Sequence, residues 1–184
     1  MPLIIVLVVV VILVIVLVGA YNKLVGLRNG VESSWRQVDV QLQKRYDLIP
    51  NLVETVKGYA KHEQDTLEKV IQARNMAMNA SGVHDQQEAE NMLTGALKSI
   101  FALSEAYPDL KANQNFLMLQ QELASIENKI AYSRQHYNDV VRGYNTLQQQ
   151  FPSNLVAGMA GCRPAEYFEL ENEAAREAPK VSFD

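Results

Sequence analysis

The 184-residue chain carries 17 Lys and Arg against 21 Asp and Glu, a net charge of −4 with a pI near 5.4. That length permits one domain with a real core plus an accessory segment. The acidic balance, with no basic stripe interleaved with aromatics, argues for no nucleic-acid partner, and a single cysteine, Cys162, rules out an internal disulfide.

The first element is apolar throughout. Leu3, Ile4, Ile5, Val6, Leu7, Val8, Val9, Val10, Val11, Ile12, Leu13, Val14, Ile15, Val16, Leu17 and Val18 include no polar side chain, and Gly19 and Ala20 extend the uncharged run. As a helix this run is ~27 Å long, close to the hydrocarbon thickness of a bilayer. Insertion at roughly 0.5 kcal/mol per residue contributes ~8 kcal/mol. "VGA" at Val18–Ala20 resembles a cleavage site, but the segment before the run has no basic residue, which favours an uncleaved membrane anchor over residues 1–20. Lys23, Arg28 and Arg36 follow the anchor and no cation precedes it, so the positive-inside rule places the body of the chain in the cytoplasm. A body outside the cytoplasm is the alternative.

From Leu27 the apolar positions Val31, Trp35, Val38, Leu42, Tyr46 and Ile49 follow in steps of three and four, the pattern of an amphipathic helix. Gly26 and Gly30 form a small-xxx-small pair with polar residues between them, a weak dimerisation signal. Pro50 then removes the hydrogen bond to the carbonyl of Tyr46, and Asp47 is a candidate cap for a new helix. An interior proline costs ~3 kcal/mol, whereas one in a first turn costs almost nothing, so a corner at Pro50 is favoured over a kink. The unbroken apolar phase through Val53 and Val56 fits the kink equally well.

Three further helices are expected. One covers about 48–80 and buries Leu52, Val53, Val56, Tyr59, Leu67, Val70, Ile71, Ala77 and Met78. Gly58 weakens it by ~1 kcal/mol. "NASGVHD" is a loop, a helix over about 86–106 follows, and "YPDL" ends it. The last runs from about 110 to 151 with Phe116, Leu119, Leu123, Ile126, Ile130, Tyr137, Val140, Val141, Tyr144 and Leu147 inward. Short connections between amphipathic helices imply an all-α fold: a transmembrane helix, then an antiparallel up-and-down four-helix bundle over 21–151. Residues 152–184 read as an irregular, membrane-proximal tail. The tail is expected first as a strap of irregular chain packed on the bundle. The alternative makes Trp35, Phe151, Leu155, Met159, Tyr167 and Phe168 self-association or tail contacts with a neighbouring subunit or the lipid interface. Glu166, Glu169, Glu171 and Glu173 form an acidic series.

The search for chemistry yields no catalytic, cofactor or metal residue. His62-Glu63 begins like a zinc-protease motif, but Thr66 stands where the second histidine belongs. No paired carboxylates with Glu-x-x-His spacing and no phosphate loop are present.

The stretches "YNKLVGLRNGVESSWRQVDVQLQKRYDLIPNLVETVKGYAKHE", "AYPDLKANQNFLMLQQELASIENKIAYSRQHYND", "YNTLQQQFPSNLVAG" and "YFELENEA" resemble the LemA family of bacterial membrane proteins over essentially the whole chain. Cys162 departs from the resemblance, standing where the family commonly has an aromatic residue. The resemblance implies a single-pass inner-membrane protein with an up-and-down bundle and a corner at Pro50, and it supplies no catalytic residues. A relative in magnetosome-forming bacteria points toward membrane shaping. The expected function is therefore a non-enzymatic scaffold without cofactors. Its partners are the lipid bilayer and further copies of itself. The alternative is a membrane-anchored adaptor or regulator of a membrane protease or another envelope protein.

Overall fold

The structure, a computed structural model, describes residues 1–169, and all regular secondary structure among them is helical. In order, the helices are α1 (Pro2–Lys57), α2 (Gln64–Asn79), α3 (Val83–Ser104), the single turn α4 (Pro108–Lys111), α5 (Gln114–Gln149) and α6 (Ser153–Met159). The described residues divide into two compact units, one of residues 1–45 with 123–167, the other of 46–122 with Phe168 and Glu169.

In the first unit the inward positions of the apolar pattern are occupied as expected. Val38 and Leu42 of α1 are buried, as are Ile130, Tyr137 and Val141 of α5. Leu24, Tyr144, Leu147 and Ala157 form one packed cluster, with Leu27, Val31, Cys162 and Ala165 against it. A methyl group on Gly30 would meet Val140 at 3.4 Å, so this glycine marks where α1 approaches α5, while Gly26 has open space around it. The small-residue pair is thus split between an internal contact and an open face. Arg45 is almost fully buried and pairs with Glu127 at 3.3 Å.

The second unit buries Ile49, Leu52 and Val56 of α1, Val70 and Ala77 of α2, Leu93, Leu97 and Ile100 of α3, and Phe116 of α5. Phe101 meets Phe116 edge-on at 6.3 Å. Gly82, at φ 89°, supplies the left-handed residue that turns the chain into α3, a conformation costly for any residue with a Cβ. Asn113 caps α5, its Oδ1 accepting the Phe116 amide at 3.0 Å.

Three expectations are corrected. No corner exists at Pro50: α1 runs through it to Lys57, and Asp47 and Pro50 lie exposed on an unbroken helix. The chain turns instead over residues 58–63, and α2 starts at Gln64. Tertiary hydrogen bonds fix that turn, because the Tyr59 hydroxyl accepts from Asn113 Nδ2 at 2.8 Å and Tyr107 donates to Glu63 Oε1 at 3.3 Å. Tyr59, Ile71 and Met78, expected inside, are each more than 40% exposed. The region after 151 also begins with a helix, α6, before becoming irregular.

The helix tolerates Pro50 because its orphaned acceptor has a partner. Arg74 of α2 donates from Nε to the Tyr46 carbonyl at 2.8 Å, the carbonyl that the missing Pro50 amide would have served. A charge-assisted bond of this kind contributes about 1.5–3 kcal/mol and offsets most of the ~3 kcal/mol cost of an interior proline. Replacing Arg74 with Met is expected to cost about 1–2 kcal/mol in the native background. In Pro50→Ala the restored amide serves the same carbonyl, so the cost of Arg74→Met should fall by about 1 kcal/mol. Urea unfolding of the four variants in detergent measures the coupling, and equal costs in both backgrounds contradict it.

Candidate functional site

The Tyr46 hydroxyl belongs to a buried polar cluster that joins α1, α2 and α3. The Tyr46 hydroxyl donates to Glu90 Oε1, and Glu90 is completely buried. Gln86 Nε2 lies 2.8 Å from the Tyr46 hydroxyl, 3.1 Å from the Ala77 carbonyl and 3.2 Å from Glu90 Oε1. A carboxylate removed from water costs several kcal/mol unless hydrogen bonds satisfy it, and these two donors supply that compensation. Around the cluster lie Ile49, Ala77, Ala89 and Leu93 in the chain, all buried. The arrangement can fix the relative register of three helices. It presents no reactive atom to solvent.

The cluster is absent from the sequence reading, though a signal for it exists. Glu90 stands on the buried stripe Glu90, Leu93, Leu97, Ile100, with steps of three, four and three, and Gln86 precedes it by one turn. A carboxylate in phase with core positions calls for a buried partner. Nothing in the local pattern selects Arg74 or Tyr46 as that surrounding. His62 is exposed, and Glu63 beside it binds Tyr107, so the pair that began like a zinc motif is surface and turn structure. Among the described residues no group of three or more His, Cys, Asp or Glu is placed to hold a metal ion.

In the first unit, residues 162–167 lie along α5 as a strap. Asn145 holds both backbone groups of Ala165, donating to its carbonyl at 2.9 Å and accepting its amide at 2.8 Å. The Tyr137 hydroxyl donates to the Glu166 carbonyl at 2.8 Å, and its ring packs against Trp35 with centroids 5.2 Å apart. Arg28, Trp35, Tyr137 and Arg163 border a small open concavity of about 360 Å³. Burial, and then the nearby Glu166 carboxylate, push the Tyr137 phenol up to about 12. Tyr144 is raised as well, by burial and then by Cys162, with Arg28 opposing.

The six candidate contact residues fall into different settings. Phe168 is fully buried in the second unit, where its ring serves the core and not the surface. An aromatic ring buries 150–250 Å² of mostly apolar area, roughly, which explains its capture. Trp35 is half-buried against Tyr137, while Phe151, Leu155, Met159 and Tyr167 are exposed. Glu166 and Glu169 are on the surface; Glu171 and Glu173 lie outside the described residues.

Among the described residues all regular structure is helical and one helix is long and apolar enough to cross a membrane, the outline of a helical membrane-associated protein. A family model described as "LemA family" matches residues 34–183, and the chain belongs to that family. Among its relatives is Protein LemA of Metamycoplasma hominis, 26% identical over 144 residues that cover 76% of this chain and 64% of the relative. Magnetosome protein MamQ 2 of Paramagnetospirillum magneticum is 22% identical over 179 residues, covering 83% of this chain and 66% of the relative. Magnetosome protein MamQ of Magnetospirillum gryphiswaldense is 21% identical over 178 residues, covering 83% and 65%. The chain thus spans just under two thirds of the length of these relatives.

The Tyr137 phenol generates a pH prediction. Its folded value lies above the ordinary 10, so the folded state keeps the proton while the unfolded chain loses it. The stability this contributes is complete below pH ~10 and is lost as pH rises through about 12. Absorbance at 295 nm for the intact chain minus Tyr137→Phe should reveal one phenol titrating near the upper value; a difference centred near pH ~10 contradicts the assignment.

Proposed function

We propose that the chain is a single-pass membrane protein in which the apolar start of α1 anchors a four-helix bundle to the bacterial inner membrane, where the protein self-associates as a non-enzymatic scaffold. The observation that carries this reading is the condition of Leu3–Val18. Leu17 aside, every side chain in that run is between 47% and 79% exposed. No protein surface covers it among the described residues, and the hydrophobic effect demands that something apolar does. Acyl chains meet that demand over a length of ~27 Å. The basic residues Lys23, Arg28 and Arg36 beyond the run favour a cytoplasmic bundle. Contacts between copies are assigned to the apolar helix, the outer edge of Trp35 and the exposed ring of Tyr167. The magnetosome names of the relatives favour a role in organising membrane.

The test is the mass of the full chain, extracted in mild detergent at micromolar concentration and measured by light scattering. A multimer is expected, and a clean monomer overturns the scaffold. Val9→Lys with Val10→Lys should release the protein from vesicles in a flotation gradient, since each central charge costs about 2.5–3.5 kcal/mol. A monomer that gives one dominant heterologous crosslink in cells would favour the adaptor instead.

A further inference from the structure

The short helix α6 is amphipathic in an inverted sense. Ser153 and Ala157, one turn apart, are its buried positions. At 100° per residue, Leu155 and Met159 project on the opposite side of the helix. They are 53% and 92% exposed, and Phe151, one turn before Leu155, is 80% exposed. The outer face of a water-facing helix is ordinarily polar. Here it carries Leu155 and Met159, and α6 (SNLVAGM) contains no charged residue. Scattered apolar side chains on a surface are common; two a turn apart on one helix face, with Phe151 exposed in the turn just before it, make a patch.

Its place in the first unit identifies what covers it. Ala157 of α6 belongs to the same packed cluster as Leu24 of α1. Leu24 is four residues beyond Ala20, the end of the uncharged run, so it lies ~6 Å past that run along the helix axis. If Leu3–Ala20 fills the hydrocarbon, one further turn falls in the headgroup layer, which adds roughly 5–7 Å on each side. The same level holds Tyr21, 48% exposed, and Lys23, the aromatic and cationic types that settle at this depth. Arg28 and Arg163, with Glu32, border one concavity beside the cluster, and the two guanidinium groups carry charge suited to lipid phosphates.

We infer that α6 is an interfacial helix: Leu155 and Met159 on its outer face, together with Phe151 of the preceding turn, insert into the headgroup–acyl boundary of the bilayer that holds the anchor. The inference rests on the proposed anchoring of α1. It gives the first unit a second membrane contact, so that its orientation on the bilayer is set by two elements in place of one.

Tryptophan fluorescence tests it in the full chain reconstituted in phosphatidylcholine–phosphatidylglycerol vesicles with or without brominated acyl chains. The one native tryptophan is removed by Trp35→Phe, and single probes are introduced as Leu155→Trp, Met159→Trp, Leu13→Trp and Val40→Trp. Leu155 and Met159 probes should emit to the blue and lose about two-fold in intensity over brominated lipid. The Val40 probe, exposed and twenty residues beyond Ala20, should be unaffected. Red-shifted, unquenched emission at both α6 sites overturns the proposal in favour of water. Blue-shifted but unquenched emission overturns it in favour of a protein surface. An unquenched Leu13 probe instead means that the anchor itself is not inserted, and both readings fall together.

Discussion

Pro50 has no amide hydrogen, so the carbonyl of Tyr46 must find its hydrogen bond outside α1, and it finds it on the guanidinium of Arg74 in α2. Tyr46 is 96% buried, which makes an unanswered carbonyl there worth about 1–3 kcal/mol of lost stability. Much follows from that one bond. The helix continues for seven residues beyond the proline, and the reversal of direction moves to residues 58–63. The other end of the same tyrosine donates to Glu90 of α3, so a single residue ties three helices, one through its backbone and one through its hydroxyl. The polar cluster that results is buried and hydrogen-bonded, an arrangement that can fix helix register.

The helical class and most of the core were legible in the sequence because a period between three and four residues survives any tertiary detail. Val38, Leu42, Ile49, Leu93, Ile130 and Val141 all occupy the side that the spacing assigns them. The Pro50 region was not legible. Local propensity weighs an interior proline as a penalty, and its compensation comes from an arginine 24 positions away that no periodicity marks. The turn at 58–63 has the same character: Asn113 and Tyr107, distant in sequence, hold Tyr59 and Glu63. Glu90 could have been flagged by its phase alone. The burial of Phe168 fits a tail that packs as a strap, but the position of the cavity that takes its ring depends on residues distant in the chain.

The first unit concerns the membrane. Its apolar run and the outer face of α6 are exposed for one reason: each lacks a protein partner among the described residues, and both lie at the same end of the α1 segment in that unit. The strap over residues 162–167 holds the chain that follows α6 against α5 through Asn145 and Tyr137, which limits how far α6 can move from Leu24. Membership of the LemA family agrees with membrane association. Self-association and side of the membrane are consequences of our proposal, anchored in the exposed apolar surface.

The continuity of α1 through Pro50 is the central claim, and backbone hydrogen exchange tests it most directly. In an unbroken helix the amides of Leu48 and Ile49 each donate to a carbonyl four residues earlier, whereas in the first turn of a new helix capped by Asp47 they have no such acceptor. The account predicts slow exchange at both, comparable to Leu42 and Val53 on either side. Exchange at those two amides as fast as in an exposed loop, with protection resuming only from Asn51, would contradict it.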